Sequence, residues 1–432
     1  MTNSILSENT LIADLHVHSK YSRGCSTQLD ITNLEKYARI KGVNLLGSGD
    51  FTHPKWIQEL KQQIKDEHGD GIYKTDSGFP FILQTELSLI YTQDKKGRKV
   101  HNVLFAPSFE VVEQITEALL KIGRIDYDGR PIFGMSCVEF TDMLMDISKE
   151  IEIIPAHIWT PYFGVLGDKS HYNSIKEAFQ ENTKYIHAIE TGLSSDPPMN
   201  WRLSQLDQFA QVSFSDLHSF WPWRIAREST LFDLKELTYK NLINAIRTKQ
   251  GLVGTIEVDP NYGKYHFDGH RKCNICFGPA ETLRNNSICP VCKKPLTIGV
   301  LNRVEQLADR PEGFKPKDSK PFYTLLPLTE ILSKFIGTGL ATKKVQTEYD
   351  KILKEFKNEY NILFNVSKED LAKLVDPKIA EAIILNRQGK IKVKAGYDGE
   401  YGVPLLGETK KLEESKPKPV KQKIEQISLS NF

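Results

Sequence analysis

The chain has 432 residues, of which 40% are hydrophobic and 26% are charged, and its formal net charge is +2 at pH 7. The length predicts two or three domains, and the composition excludes a wholly disordered chain. No apolar run reaches 18 residues, and the polar N-terminus has no basic region followed by an apolar stretch. We therefore expect a cytoplasmic protein without a membrane span.

The first predicted element is a strand over residues 9–13, which runs directly into His16 and His18. Side chains alternate along a strand, so both imidazoles face one way while Leu15 and Val17 face the core. Two imidazoles on one face form half of a metal site, although such a pair also arises by chance.

A helix is predicted between Asp30, as its N-cap, and Gly42, as its end. The strand after this helix opens into a glycine-rich loop that carries Asp50 and His53. Another helix, with proline in its first turn, is predicted over residues 54–68.

The alternation of strands and helices then continues. Strands are predicted over residues 79–89, 99–105, 151–157, 184–192 and 212–218, and helices near 109–122 and 137–148. The strands carry the ligand-type residues Glu86, His101, His157, Asp216 and His218. Such residues at the ends of strands that alternate with helices predict an α/β protein with a parallel barrel and one active face.

The second half of the chain contains a predicted zinc module. Four of the six cysteines form two C-x-x-C pairs separated by 12 residues: Cys273, Cys276, Cys289 and Cys292. Two such pairs are typical of one structural zinc site in a reducing compartment. His266 and His270 lie close upstream as alternative ligands, but we expect the four thiolates to hold the metal.

Charge segregates around this module. Residues 271–320 contain ten basic and five acidic side chains. This excess suits a surface that binds phosphate groups, and it also suits an ordinary solvated face. The segment 321–384 has helical patterns, and a basic strand then leads into a turn at residues 395–402 that contains three glycines and two tyrosines.

The order of the ligand-type residues resembles the PHP superfamily of metal-dependent phosphoesterases. The resemblance implies a distorted barrel whose His16, His18, Glu86 and Asp216 hold one metal. Glu86 would bridge to a second metal on His101 and His157, and Asp50 or His53, with His218, would serve a third. The implied catalytic residues are Glu86, Asp216 and His218. Imidazole and carboxylate ligands suit Zn, Mn or Fe better than Mg, but the sequence leaves Zn, Mn and Mg open.

The ligand pattern, the cysteine module and the turn at 395–402 together resemble the endonuclease Q family over residues 9–407. This resemblance implies DNA, single- or double-stranded, as the partner. It also implies incision 5′ of a deaminated base (uracil, hypoxanthine or xanthine) or an abasic site, with the lesion flipped into a pocket. The residues expected to line this pocket or the DNA path are Trp223, Arg224, Asn386, Arg387, Gly396, Tyr397, Asp398 and Tyr401.

The last residues differ from the rest. Residues 410–423 are rich in lysine and proline and predict a flexible linker. The spacing of Gln426, Leu429 and Phe432 at the end resembles a sliding-clamp-binding peptide, which orders when it binds.

We therefore expect a PHP domain over residues 1–255, a zinc module over 256–310, a mostly helical DNA-binding domain over 311–409 and a basic tail over 410–432. The expected protein is a monomeric DNA-repair endonuclease. Two alternatives stay open. A small-molecule phosphatase of the histidinol-phosphate type leaves the residues after the barrel without a purpose. A nucleic-acid-binding adaptor with an inactive barrel requires that the barrel bind no metal.

Overall fold

A computed structural model describes residues 10–406. The strands are β1 (Leu11–Asp14), β2 (Leu45–Gly47), β3 (Tyr73–Lys74), β4 (Pro80–Gln93), β5 (Lys96–Ala106), β6 (Ile132–Phe133), β7 (Glu152–Pro155), β8 (Ala188–Glu190), β9 (Ala210–Val212), β10 (Ser229–Phe232), β11 (Leu252–Glu257), β12 (Asp268–His270), β13 (Ile275–Phe277), β14 (Phe322–Thr324), β15 (Lys392–Lys394) and β16 (Val403–Leu405).

The helices are α1 (Ile31–Lys41), α2 (Pro54–Gln63), α3 (Phe109–Leu120), α4 (Cys137–Ile147), α5 (Ile175–Phe179), α6 (Pro197–Trp201), α7 (Tyr239–Thr248), α8 (Pro279–Arg284), α9 (Val300–Leu307), α10 (Leu328–Ile336), α11 (Lys343–Phe356), α12 (Glu359–Phe364), α13 (Lys368–Ala372) and α14 (Pro377–Arg387). Within residues 10–406, every helix is too short or too polar to cross a bilayer.

The largest sheet has the order β14-β11-β10-β1-β2-β4-β5-β7, with β3 and β6 alongside β4. It is mixed, because β5 is antiparallel to both neighbours and β10 is antiparallel to β1 and β11. The tight turn at Asp94 and Lys95, both with positive φ, joins β4 directly to β5 and makes that pair antiparallel. The predicted α/β fold class is confirmed, but the sheet is not parallel throughout.

Strand β4 extends beyond its neighbours. It pairs with β2 only through Phe81 and Ile82, and it continues as a long ribbon with β5. The barrel pattern predicts ligands at the carboxyl ends of the strands. Glu86 and His101 lie instead within β4 and β5. Similarly, α2 ends at Gln63 and not at residue 68, because the next residue, Ile64, is extended and buried.

The C-terminal helices pack against the barrel. Strand β14 extends the large sheet by pairing with β11. The ammonium group of Lys41, at the end of α1, is buried and lies 2.7 Å from the Glu359 carboxylate at the start of α12. The segments after residue 255 thus share contacts with the first domain, and the domain boundaries stay a prediction.

The hairpin β15–β16 connects the cysteine module to the barrel. Asp398, in its turn, accepts hydrogen bonds from the Arg271 amide and from the Thr297 hydroxyl. The Gly402 amide donates to the carbonyl of Tyr262, which follows β11. This turn therefore holds three segments of the chain together.

Candidate active site

His16 and His18 share one arrangement, in which Nδ1 is held by a carboxylate. Nδ1 of His16 lies 2.9 Å and 3.1 Å from the two carboxylate oxygens of Glu190. Nδ1 of His18 lies 3.0 Å from Asp50. These contacts fix each ring and leave its Nε2 as the atom that faces the centre of the site.

The Nε2 atoms meet the carboxylates of Glu86 and Asp216. His18 Nε2 lies 3.1 Å from Asp216 Oδ1 and 3.3 Å from Glu86 Oε2. His16 Nε2 lies 3.6 Å from Glu86 and 3.7 Å from Asp216, and it is buried without a hydrogen-bond partner among the described residues. On the other side of Glu86, Oε1 lies 2.7 Å from His101 Nδ1 and 3.2 Å from His157 Nε2.

Glu86 thus belongs to two groups of ligand atoms. In each group the atoms lie within 4.8 Å of one another: His16, His18, Glu86 and Asp216 in one, and Glu86, His101 and His157 in the other. Imidazole nitrogens and carboxylate oxygens are ligands of divalent transition metals. The residues therefore fit metal binding, and the partnerless Nε2 of His16 indicates where a ligand bond would form.

Three residues of the site have left-handed backbone conformations: Asp50 (φ 35°), His157 (φ 30°) and Asp216 (φ 46°). Non-glycine residues in this region cost about 1–3 kcal/mol each when strained, so the surrounding structure must hold them. Near Asp216 the buried Asp14 carboxylate does so, because it accepts hydrogen bonds from the Ser215 amide and hydroxyl at 2.9 Å and 2.6 Å.

The ionisation states of the ligand residues are set by burial and by their neighbours. Burial raises the pKa of Glu86, but His101, Arg130 and His16 outweigh burial and hold this pKa well below its usual value. The pKa of Asp216 is also well below its usual value, since nearby histidines outweigh its burial. The Glu86 carboxylate acts to raise the pKa of His101, but burial outweighs it and lowers this pKa to about 4. At neutral pH these carboxylates are ionised and His101 is neutral. Burial acts to lower the pKa of His16 and of His18, but Glu190 and Asp50 outweigh it and hold both pKa values well above the usual value, so a metal that binds there would displace their protons.

Asp50 and His53 do not join either ligand group. Asp50 is buried and accepts hydrogen bonds from the Ser19 amide and hydroxyl, both at 2.6 Å, in addition to its contact with His18. The His53 ring is stacked on Tyr21, with centroids 4.3 Å apart. Asp50 therefore orients His18, and the His53 ring packs at the start of α2 with its Nδ1 buried and without a hydrogen-bond partner among the described residues. Their assignment to a third metal stays a prediction.

His218 lies beside the first group without belonging to it. Its ring is 4.8 Å from the His18 ring and meets it edge to face. Its Nδ1 lies 3.0 Å from the Asp216 carbonyl oxygen, and a carbonyl can only accept, so Nδ1 carries the proton. The side chain is about one-third exposed. Nε2 of the neutral ring is therefore a proton acceptor that solvent or a substrate can approach.

The cysteine module differs from its prediction in one ligand. Its ligand atoms come from His270, Cys273, Cys289 and Cys292. Cys276 pairs with Gly269 across the β12–β13 hairpin, one position away from His270, so alternation places Cys276 on the opposite face. Burial acts to raise the pKa of the Cys289 thiol, but the amides of Cys292 and Val291 outweigh it and lower this pKa to about 6, which favours the thiolate.

Two of the predicted base-pocket residues have structural roles instead. Asn386 is buried, and its amide accepts from the Leu326 amide and donates to the Leu326 carbonyl. The Arg387 guanidinium donates to backbone carbonyls at the end of α12: Ile362, Leu363 and Val366. With these groups already paired, the structure corrects the prediction that they contact a base.

The turn of the β15–β16 hairpin is similarly committed. Gly396 donates to the Asn261 carbonyl, and its own carbonyl accepts from the Phe267 amide. A Cβ atom at Gly396 would collide with neighbouring carbonyl oxygens, so this glycine serves chain packing and not ligand approach. The Tyr397 hydroxyl donates to Asn274, and the Asp398 carboxylate accepts from the Arg271 amide, which holds the turn against the cysteine module.

Arg224 and Tyr401 do come together, whereas Trp223 is buried and packs on Trp221. The Trp223 ring is stacked on Trp221 with an interplanar angle of 2°, and Trp221 is 37% exposed. The Arg224 guanidinium lies 4.9 Å above the Tyr401 ring, and the Lys264 ammonium group lies 4.7 Å from the same ring. We call these five residues the Trp–Arg surface; it begins three residues after His218 in the chain.

Two residues of the site were missed by the sequence analysis. Glu190 ends β8, within a segment where a strand is predicted, so the signal that identified His157 was present there too. Arg130 lies between α3 and β6 and has no comparable signal, yet its Nη1 is 2.9 Å from Glu86 Oε2. The predicted clamp-binding residues, Gln426, Leu429 and Phe432, lie outside the described residues.

Comparison with known proteins was consistent with this architecture. Residues 327–390 match the model of the MJ0043 C-terminal domain family. The protein MJ0043 of Methanocaldococcus jannaschii is 32% identical over 306 residues, which cover 70% of this chain and 36% of that protein. This chain therefore spans about a third of the length of that relative.

Two solved structures match nearly the whole chain, each at 30% identity and over 92% of this chain. One is the lesion-specific endonuclease PfuEndoQ from Pyrococcus furiosus, with a TM-score of 0.82 and 96% of its own chain covered. The other is endonuclease Q in complex with a 27-mer duplex substrate that has an abasic lesion at the active site, with a TM-score of 0.83 and 97% covered. The resemblance indicated by the motifs is thus confirmed, and the chain belongs to the endonuclease Q family.

Proposed function

We propose that this protein is a DNA-repair endonuclease that hydrolyses the phosphodiester on the 5′ side of a deaminated base or an abasic site. The observation that carries the proposal is the pair of ligand groups that share Glu86. The aromatic and basic Trp–Arg surface, which begins three residues after His218 in the chain, supports it. The near full-length match to an endonuclease bound to a lesion-containing duplex supports DNA as the substrate.

In this proposal, His16, His18, Glu86 and Asp216 hold one divalent metal and Glu86, His101 and His157 hold another. Such a pair supplies a Lewis acid for the phosphate and lowers the pKa of a bound water. The chain's own contribution is to hold these ligands in place through Glu190 and Asp50. Nε2 of His218 accepts the proton of the attacking water, since Nδ1 is bonded to the Asp216 carbonyl.

The Trp–Arg surface would receive the DNA next to the cleaved bond. The exposed face of Trp221 offers a platform for a base, and Arg224 and Lys264 offer positive charge for phosphates. A duplex hides the edge that distinguishes uracil from cytosine, so recognition of a deaminated base requires that the base leave the stack.

The proposal is tested with labelled duplexes that differ only in one position, which holds uracil, hypoxanthine, an abasic site or cytosine. The purified protein should nick the first three immediately 5′ of the lesion in the presence of a divalent metal, and the cytosine duplex should stay intact. Asp216→Asn should abolish nicking. Asp76→Asn, a change at a carboxylate that is 98% exposed on the same domain, is the matched control and should not affect it.

A contrary result also has a clear meaning. Release of phosphate from small phosphomonoesters, without incision of any duplex, would replace the proposal with the phosphatase alternative. Failure of the protein to bind divalent metal at the barrel would favour the inactive adaptor.

A further inference from the structure

Arg130 places a permanent positive charge inside the ligand groups. Its Nη1 lies 2.9 Å from Glu86 Oε2, the same oxygen that lies 3.3 Å from His18 Nε2 and 3.6 Å from His16 Nε2. Within residues 10–406, no other lysine or arginine forms an ion pair with a member of either group. Its side chain is 22% exposed, so a molecule that enters the site can reach it.

The loop that carries Arg130 is held in place by Gly129, the residue before it. The Gly129 amide donates to the Tyr21 carbonyl at 3.0 Å. A Cβ atom on Gly129 would collide with Asp50 Oδ2 and Ser22 Oγ, so only glycine allows the loop to approach the residues that orient His18.

The loop is also fixed on the other side. The Pro131 carbonyl accepts from the Ser88 amide at 3.1 Å, and Ser88 lies two residues after Glu86 in β4. Asp128 in turn accepts from the amides of Arg23 and Arg130, at 3.2 Å and 3.1 Å. The backbone on both sides of Arg130 is therefore held by hydrogen bonds, and these fix the position from which the guanidinium reaches Glu86.

A cation at this position works against the binding of further cations. Like charges a few ångströms apart repel, and most strongly where burial limits screening. A loop that only had to orient Glu86 would do so at lower cost with a neutral donor such as an amide or a hydroxyl. The guanidinium is favourable when an anion occupies the site, because its planar fork matches two oxygens of a phosphate.

We propose that Arg130 is a catalytic residue that binds a non-bridging oxygen of the scissile phosphate and stabilises the negative charge that develops there during hydrolysis. This inference rests on the proposed phosphodiesterase function. Loss of one preorganised donor to a developing oxyanion typically lowers kcat about 100- to 1,000-fold.

The experiment compares wild type with Arg130→Gln and Arg130→Lys. Arg124→Gln is the matched control, since Arg124 lies in the same loop, is three-quarters exposed and pairs with Asp126. Incision of a duplex with one abasic site and hydrolysis of bis(4-nitrophenyl) phosphate give kcat and KM. Calorimetric titration of the metal-free proteins with Mn²⁺ gives metal affinity.

We expect Arg130→Gln to lower kcat about 100-fold or more on both substrates while its Mn²⁺ affinity is equal to or higher than that of wild type. Arg130→Lys should recover part of kcat, because it keeps the charge without the fork. In a duplex whose scissile phosphate is a neutral methylphosphonate, the difference between wild type and Arg130→Gln should shrink at least tenfold.

A parallel loss of Mn²⁺ affinity and activity in Arg130→Gln would overturn the proposal, since it would show that Arg130 only orients Glu86. An unchanged kcat would overturn it as well. If wild type fails on the duplex but hydrolyses the small diester, the lesion-endonuclease proposal fails while Arg130 is still tested on the diester. If wild type hydrolyses neither, both proposals fail.

Discussion

Glu190 determines how His16 is presented at the centre of the site. Its carboxylate accepts from His16 Nδ1 and also from the backbone amide of His157, at 2.7 Å. One buried side chain thus positions members of both ligand groups. Partners of this kind fix the ring orientation and raise the basicity of the coordinating nitrogen.

We therefore predict that Glu190→Gln lowers the affinity of the barrel for divalent metal by about 10- to 100-fold, because it removes the charge that supports His16. Competition with a metal-sensitive chelator dye measures the change. Glu117→Gln, on the exposed side of α3, is the control and should bind metal like wild type. Equal affinities for the Glu190 variant and wild type would contradict the prediction.

At the level of elements, strands β10 and β11 bring two carboxyl groups into the interior. Glu257 ends β11 and Glu228 precedes β10, and the Ser213 hydroxyl contacts both, at 2.9 Å and 3.1 Å. Burial raises the pKa of Glu257 to about 8, and burial together with Glu257 holds the pKa of Glu228 well above its usual value. The pair therefore binds a proton at neutral pH.

This pair predicts a pH dependence of stability. The folded-state pKa of Glu257, about 8, lies above its usual value of 4.5. Between these values the folded state holds a proton that the unfolded state has lost, so the free energy of unfolding falls as the pH rises from 4.5 to 8, by up to about 1.4 kcal/mol per unit.

Glu257→Gln should reduce this slope, because glutamine does not titrate. Urea unfolding at pH 5, 6, 7 and 8 measures it, with the exposed Glu236→Gln as control. A slope identical to that of wild type would show that Glu257 is already ionised in the folded protein.

The register of the β12–β13 hairpin determines which side chains of the cysteine module can hold zinc. Because alternation puts His270 with the thiolates and Cys276 on the other face, His270→Ala should lose zinc and destabilise the module, whereas Cys276→Ser should keep one zinc per chain. Elemental analysis of the purified variants gives the zinc content. Zinc loss in Cys276→Ser with retention in His270→Ala would restore the four-cysteine assignment.

At the level of the whole molecule, the proposed DNA surface combines residues from distant parts of the chain. Trp221 and Arg224 follow Asp216 of the first ligand group, while Lys264 precedes the cysteine module and Tyr401 comes from the last hairpin. Burial raises the pKa of Tyr401, but Arg227, Arg224 and Lys264 outweigh it and lower this pKa to about 8. The positive charge is therefore concentrated at one place.

Trp221→Ala should weaken binding of a lesion-containing duplex by about 5- to 150-fold, because a stacked base contributes about 1–3 kcal/mol. Fluorescence anisotropy at fixed salt measures the affinity. Phe314→Ala is the matched control, since Phe314 is equally exposed at 37%. It lines a different cavity, together with Ala210 and Leu252, the first residues of β9 and β11. Equal losses in the two variants would contradict a specific role for Trp221.

The sequence by itself determined the ligand types and the class of fold, because these depend on local patterns. The alternation around His16 and His18, the N-cap Asp30 and the paired cysteines are signals carried by neighbouring residues. The tertiary structure decided which atoms meet. Glu190, Arg130 and His270 reach their sites through strand pairing and loop contacts over long separations, and Asn386 and Arg387 are removed from the predicted pocket by backbone partners. No local pattern contains those distances, since they arise only when separate segments pack together.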